Sequence, residues 1–324
     1  MNLGPLIIDL EGVALSAEER ERLLHPWVGG VILFSRNFES IEQLEALTAS
    51  IHRLRPLLIT VDHEGGRIQR FRDGFTALPS FRSLSEGLGD HPSPEALSAA
   101  TQLACRAGTT LATELRASGI DFSYTPVLDL DHGRSAVIGD RAFHRNPHLV
   151  SMLAAAVMQG LRLAGFHSCG KHFPGHGWAT ADSHHALPVD DRPLEVILAD
   201  DASPYAALGS DLAPLSAVMP AHIRYTAVDD QPAGFSRTWL REILRGRLNF
   251  DGVIISDDLS MAGAAIYEDI SDRAQAAFEA GCDATLICNR PDLSAQALDE
   301  LPRRMPTFLS SGHRRSLLRL LPDG

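Results

Sequence analysis

The chain has 324 residues, 44% of them hydrophobic, and its 29 Lys and Arg against 41 Asp and Glu give a net charge of −12. That length suits one large α/β barrel or two domains, with enough apolar material for a sizeable core. The acidic balance argues against nucleic acid or an anionic membrane surface as the main partner.

Cys105, Cys169, Cys282 and Cys288 form no CxxC pair, which argues against a zinc ribbon or a disulfide framework and favours reduced thiols. The start, MNLGPLIIDLEG, carries Asp9 and Glu11 and no basic leader, so no signal peptide is expected. No apolar run reaches membrane-spanning length, since residues 152–166 are broken by Gln159 and Arg162. A cytoplasmic protein with no membrane partner follows as the expectation.

Taken in order, strands are predicted over residues 5–10, 28–34, 57–61, 121–126, 166–170, 217–219, 252–256 and 284–288. Helices are predicted over 17–24, 41–54, 95–118, 148–164, 193–208, 237–247 and 272–280. Ile41, Leu44, Leu47 and Ile51 show helical spacing, Pro193 suits a first turn, and Gly281 suits a C-terminal stop. The end of the chain, with Arg314, Arg315 and Arg319, reads as a closing helix. Residues 84–94 read as an inserted loop. Eight strands, each followed by a helix or long loop, predict an α/β fold, a single (β/α)8 TIM-type barrel making one catalytic domain over 1–324. A doubly wound sheet would want a GxGxxG turn after an early strand, and the sequence has none.

Barrel active sites lie at the C-terminal ends of the strands, so the residues that follow each strand are candidates. Strand three ends in Asp62, followed by Glu64, Arg67 and Arg70. Asp129, Asp131 and Arg141 follow strand four. His222 follows strand six, and Asp257 and Asp258 end strand seven. A helix N-cap is the ordinary explanation for such an acid. It is stronger for Asp258, which with Ser260 precedes a helix-compatible run, than for Asp257.

Residues 171–188, KHFPGHGWATADSHHALP, hold four of the chain's 14 histidines, at 172, 176, 184 and 185. Histidine titrates nearest neutrality, and Pro174, Gly175 and Gly177 exclude a regular helix, so the segment reads as a shaped loop of titratable groups. A polar surface loop is the bland alternative. In an extended segment Asp182 and His184 would point to the same side, and the carboxylate could hold one ring nitrogen while the other moves a proton.

KHFPGHG with DSH, VDHEGGRIQRF, GDRAFH and SDDLSM together resemble glycoside hydrolase family 3, in particular its single-domain bacterial β-N-acetylglucosaminidases. The resemblance implies roles. Asp257 matches the nucleophile, and His184 the acid/base with Asp182 as its partner. Asp62, Arg70, Arg141, Lys171 and His172 match sugar-binding positions. It also implies a small-molecule glycan substrate, a terminal non-reducing β-linked N-acetylglucosamine, and a place in cytoplasmic recycling of anhydro-muropeptides from peptidoglycan. No cofactor or metal is implied. His63, where many members carry Gln, His185 and Trp178 depart from the pattern.

Retaining hydrolysis needs a carboxylate nucleophile and an acid that later serves as base, and a histidine supported by a carboxylate can take the second role. Three other readings remain at this point. His172 and His176 have HxxxH spacing for zinc, although Pro174 and Gly175 between them make a helix face improbable. A phosphorylase would also suit a histidine acid/base, which avoids carboxylate repulsion of an incoming anion. A non-catalytic sugar-binding barrel would require loss of Asp257, Asp182 or His184, and all three are present.

Overall fold

The computed structural model describes residues 3–180, 187–209, 214–310 and 315–322. Eight parallel strands form one sheet: β1 Leu6–Asp9, β2 Val28–Leu33, β3 Leu58–Val61, β4 Phe122–Ser123, β5 Cys169–Phe173, β6 Ala217–Pro220, β7 Val253–Asp258 and β8 Ala284–Ile287. Their order is β4-β3-β2-β1-β8-β7-β6-β5. The residues after β4 close the circle against β5, through the Val127–Lys171 bridge and the bond from Leu128 N to Lys171 O at 2.7 Å. This is the predicted TIM-type barrel.

Side chains alternate across each strand with period 2, and two apolar layers result. Ile7, Ile32, Leu58, Cys169, Met219, Val253, Ile255 and Leu286 pack inside the barrel. Leu6, Ile8, Val31, Ile59, Val218 and Ile254 pack outward with the helices. Helix starts follow local chemistry. Ser16 and Glu19 make a reciprocal cap for Ala17–Leu24, Ser93 caps a helix with Pro94 in its first turn, and Asn146 does the same before Pro147. No helix among the described residues is long and apolar enough to cross a membrane.

β4 keeps only Phe122–Ser123 of the strand expected over 121–126, and three further elements differ. β5 runs three residues later than predicted, which puts Lys171 and His172 in the strand rather than in a loop. The helix predicted over 193–208 is two, Leu194–Ala199 and Ser203–Gly209, with Pro193 as N-cap of the first. Between them Asp201 is fully buried and accepts from Arg192, and this bond holds the chain where a continuous helix would carry it past. The last α-helix is Pro291–Arg304, followed by 3-10 turns at Phe308–Ser310 and Leu317–Leu320, where one closing helix was expected. Arg314 lies outside the described residues.

Candidate active site at the barrel mouth

The inward alternation of the strands continues past the apolar core. Two residues beyond Ile32 stands Phe34, four beyond Leu58 stands Asp62, and two beyond Cys169, Ile255 and Leu286 stand Lys171, Asp257 and Cys288. All of them line one cavity of about 600 Å³ at the C-terminal mouth, together with Glu64, Arg70, Arg141, His172 and His176. Of the eight predicted site residues the structure therefore gathers six: Asp62, Arg70, Arg141, Lys171, His172 and Asp257. Asp182 and His184 lie outside the described residues, as does His185.

Glu64 organises the cations. Lys171 Nζ lies 2.6 Å from Glu64 Oε1 and donates to Asp62 Oδ1 at 2.8 Å. Arg141 clamps Glu64 bidentately, Nε to Oε2 at 2.9 Å and Nη2 to Oε1 at 2.8 Å. Arg70 reaches Asp62 at 3.6 Å. Burial alone would raise the Glu64 pKa, but Arg141 and Lys171 outweigh it and hold the carboxyl well below its usual range. Burial likewise opposes the charge on Lys171, and Asp62 and Glu64 outweigh it, so Lys171 stays protonated.

His172 is fixed by Asp129, a fully buried acid. Asp129 Oδ2 lies 2.7 Å from His172 Nδ1, and Oδ1 accepts the backbone N–H of His172 at 3.1 Å and of His176 at 2.6 Å. An Nδ1–H held this way leaves Nε2 as the ring's other hydrogen-bonding atom. Burial pushes Asp129 up, but His172 and His176 bring it below the ordinary carboxylate value. The His172 and His176 rings lie 5.9 Å apart, edge to face, on a strand end and a turn rather than on one helix face.

The two aspartates ending β7 part ways. Asp257 Oδ1 accepts the Asp258 N–H at 2.8 Å, and no ion pair holds this carboxylate among the described residues. Burial raises its pKa, yet His222, His172, the Asp258 N–H and Lys171 together bring it below the usual value, so it is ionised at neutral pH. Asp258 instead accepts from Ser260 N at 2.9 Å, Ser260 Oγ at 2.7 Å and Cys288 N at 3.0 Å, which ties β7 to β8. It is a local structural acid but caps no helix, since the next turn begins at Ala262. Burial pushes it up to about 6. Behind the pair, His222 is fully buried, meets the Asp258 carbonyl through Nε2 at 3.1 Å and stacks on Phe235.

Sequence reasoning named Glu64, Asp129 and His222 as polar residues after strands without giving them a place in the site. A signal was there for two of them: Asp129 stands between Leu128 and Leu130 and His222 between Ala221 and Ile223, where a polar side chain needs a partner.

Residues 6–309 match the sequence profile of the glycosyl hydrolase family 3 N terminal domain. The chain belongs to glycosyl hydrolase family 3. A relative, the beta-hexosaminidase of Bordetella avium, is 59% identical over 301 residues, covering 92% of this chain and 84% of its own length. Native NagZ from Neisseria gonorrhoeae superposes with a TM-score of 0.88 at 46% identity, over 100% of this chain and 91% of that one. The same gonococcal protein in complex with N-trifluoroacetyl-D-glucosamine gives a TM-score of 0.86 at 48% identity, over 97% of this chain and 92% of that one.

Proposed function

We propose that this protein is a retaining β-N-acetylhexosaminidase that releases terminal, non-reducing β-linked N-acetylglucosamine, and that its catalytic barrel is one domain. One observation carries the reading: a ligand-accessible carboxylate, Asp257, shares a cavity with hydrogen-bonding groups from Asp62, Arg70, Arg141, Lys171 and His172. Sugar hydroxyls and an acetamido group require such a set of fixed donors and acceptors, and planar guanidinium forks add directional selectivity. The similarity to beta-hexosaminidases, one of them seen with an N-acylated glucosamine, supports the same substrate class.

In the proposed mechanism the ionised Asp257 attacks the anomeric carbon as His184, supported by Asp182, protonates the departing oxygen. His184 then takes a proton from the water that cleaves the glycosyl–Asp257 ester, and the two inversions leave the β configuration. The cations beside Asp62 and Glu64 orient the sugar and are neutralised in advance, so substrate need not displace a tight inhibitory anion. The physiological substrates in this reading are anhydro-muropeptides of cytoplasmic peptidoglycan recycling.

The test is incubation with an aryl β-N-acetylglucosaminide and the matching β-glucoside, with and without phosphate, while NMR follows the sugar first released. Preferential cleavage of the acetamido substrate to the β anomer of the free sugar is expected. Initial release of the α anomer overturns double displacement, and turnover dependent on phosphate, yielding a sugar phosphate, makes the enzyme a phosphorylase.

A further inference from the structure

Trp178 is one of the departures from the family pattern that the mechanism has not used. It stands three residues before residues 181–186, which include Asp182 and His184. Two guanidinium groups lie over its indole, Arg134 with Cζ 4.1 Å from the ring centroid and Arg192 with Cζ at 4.4 Å. The His132 ring meets it edge-on at 5.2 Å.

These neighbours are joined to one another. Asp201, fully buried, accepts from Arg192 Nη1 on Oδ2 at 2.7 Å and meets His132 Nε2 at Oδ1 at 2.9 Å. Trp178, Arg192, Asp201 and His132 thus close a ring. Arg192 belongs to the second stem of the loop, five residues past Leu187. It is forked onto Asp190, which is paired in a short parallel strand with Tyr225. Tyr225 Oη in turn donates to Gly175 O, on the first stem, at 2.8 Å.

The glycines of the first stem complete the clasp. A Cβ on Gly177 would lie 1.8 Å from the Leu130 carbonyl oxygen, and one on Gly175, whose φ is 154°, 2.6 Å from Asp201 Cβ. In the sequence these two glycines only exclude a regular helix. The structure uses them for close approach, pressing the first stem onto the residues after β4 and onto Asp201.

We propose that Trp178 is a positioning residue for proton transfer: its clasp by Arg192, His132 and Arg134 fixes the two stems between which His184 stands in the sequence. This rests on the reading of His184 as acid/base. Trp178 is not among the residues lining the mouth cavity, so its effect on the sugar is indirect. A catalytic group misplaced by ~1 Å costs on the order of 10²-fold in rate.

The experiment compares kcat/KM, which reports steps through glycosylation, on an alkyl and a nitrophenyl β-N-acetylglucosaminide for Trp178→Leu, Trp178→Phe, Arg134→Leu, His184→Ala and the double variant Trp178→Leu/His184→Ala. The alkyl leaving group needs the proton and the nitrophenolate hardly does. Trp178→Leu should lose about 10- to 100-fold on the alkyl glycoside and under about 3-fold on the nitrophenyl one. Trp178→Phe, which keeps a π face, should recover most of the loss. Arg134 is exposed, so Arg134→Leu leaves folding intact and should show the same selective pattern at about 2- to 5-fold. On the alkyl glycoside the double variant should be no worse than His184→Ala, because the group to be positioned is gone. Equal losses on both substrates, or losses that multiply in the double variant, overturn the proposal and make Trp178 a packing residue of the rim. If His184→Ala itself ignores the leaving group, the acid/base reading falls and this inference with it. If His184→Ala is selective and both Trp178→Leu and Arg134→Leu are not, only this inference falls.

Discussion

Two of the cavities among the described residues invite comparison, one of about 600 Å³ at the barrel mouth and one of about 660 Å³ on the flank. The flank cavity has Arg241, Arg245, Arg304 and Arg315 in its wall, and by charge and volume alone it would look the better site. Its arginines are committed to the frame. Arg241 donates to the Glu279 and Ala280 carbonyls at the end of helix Ile270–Ala280, where a cation also complements the helix dipole. Arg245 holds Asp283 and the Phe250 and Gly252 carbonyls, Arg304 pairs with Asp272 and Glu300, and Arg315 with Asp251. At the mouth Lys171, Arg70 and Arg141 are paired too, with Asp62 and Glu64, but these groups all line the cavity that also holds Asp257. Convergence, rather than volume or charge count, separates a place for chemistry from a stapled groove.

Substitutions can break that comparison. The largest effect should come from Asp257→Ala: turnover should drop on the order of 10⁴- to 10⁶-fold with the thermal unfolding midpoint little changed. Asp258→Ala should instead cost stability, because Ser260 and Cys288 N–H lose their acceptor. An inactive but stable Asp258→Ala beside an active Asp257→Ala would reverse the assignment of the two.

Next comes Glu64→Gln, which removes the shared carboxylate of Lys171 and Arg141. Breaking a buried pair typically costs about 3–5 kcal/mol, and kcat/KM should fall by about 10²-fold as the cations lose their alignment. Urea unfolding and steady-state kinetics on the same preparation measure both. Activity retained in a destabilised protein would reduce the network to scaffolding.

A third effect concerns pH. Burial depresses His63 and His176 from an ordinary value near 6.5 to about 4. Each is neutral in the folded protein while the unfolded chain takes up the proton, so the stability each contributes is present above about pH 6.5 and is lost as pH falls toward 4. His63 packs against Phe71 and Phe75, away from the cavity, and its Nδ1 has no hydrogen-bond partner among the described residues. His63→Gln should therefore lose roughly 2 kcal/mol less than the parent between pH 7.5 and pH 5. Parallel urea titrations at the two pH values test it, and an identical acid loss would mean that other groups drive the acid limb.

The smallest effect belongs to the flank. Arg241→Met should leave kcat/KM within about 2-fold and lower the unfolding midpoint by a few degrees, as a lost pair of hydrogen bonds would. A large kinetic loss there would show that the flank takes part in function.

Much of this was legible in the residues. Helix bounds at Ala17–Leu24 and Ile41–Leu54, and the stop at Gly281, follow from caps and periodicity, which are local. The strand count follows from short apolar runs, and the position of Asp62 and Asp257 at strand ends was enough to make them candidates. Three things were decided only by tertiary contacts. The register of β5 depends on pairing with β6 and with the residues after β4, so the sequence alone left Lys171 and His172 in a loop. The separation of Asp257 from Asp258 depends on their partners at the end of β7: both line the cavity, but only Asp258 is tied down by Ser260 and by the backbone of β8. The work of Gly175 and Gly177 depends on what lies across from them. A glycine read along the chain signals conformational freedom, whereas one pressed against Leu130 and Asp201 signals the opposite, because close approach is a property of two segments and only one of them is local.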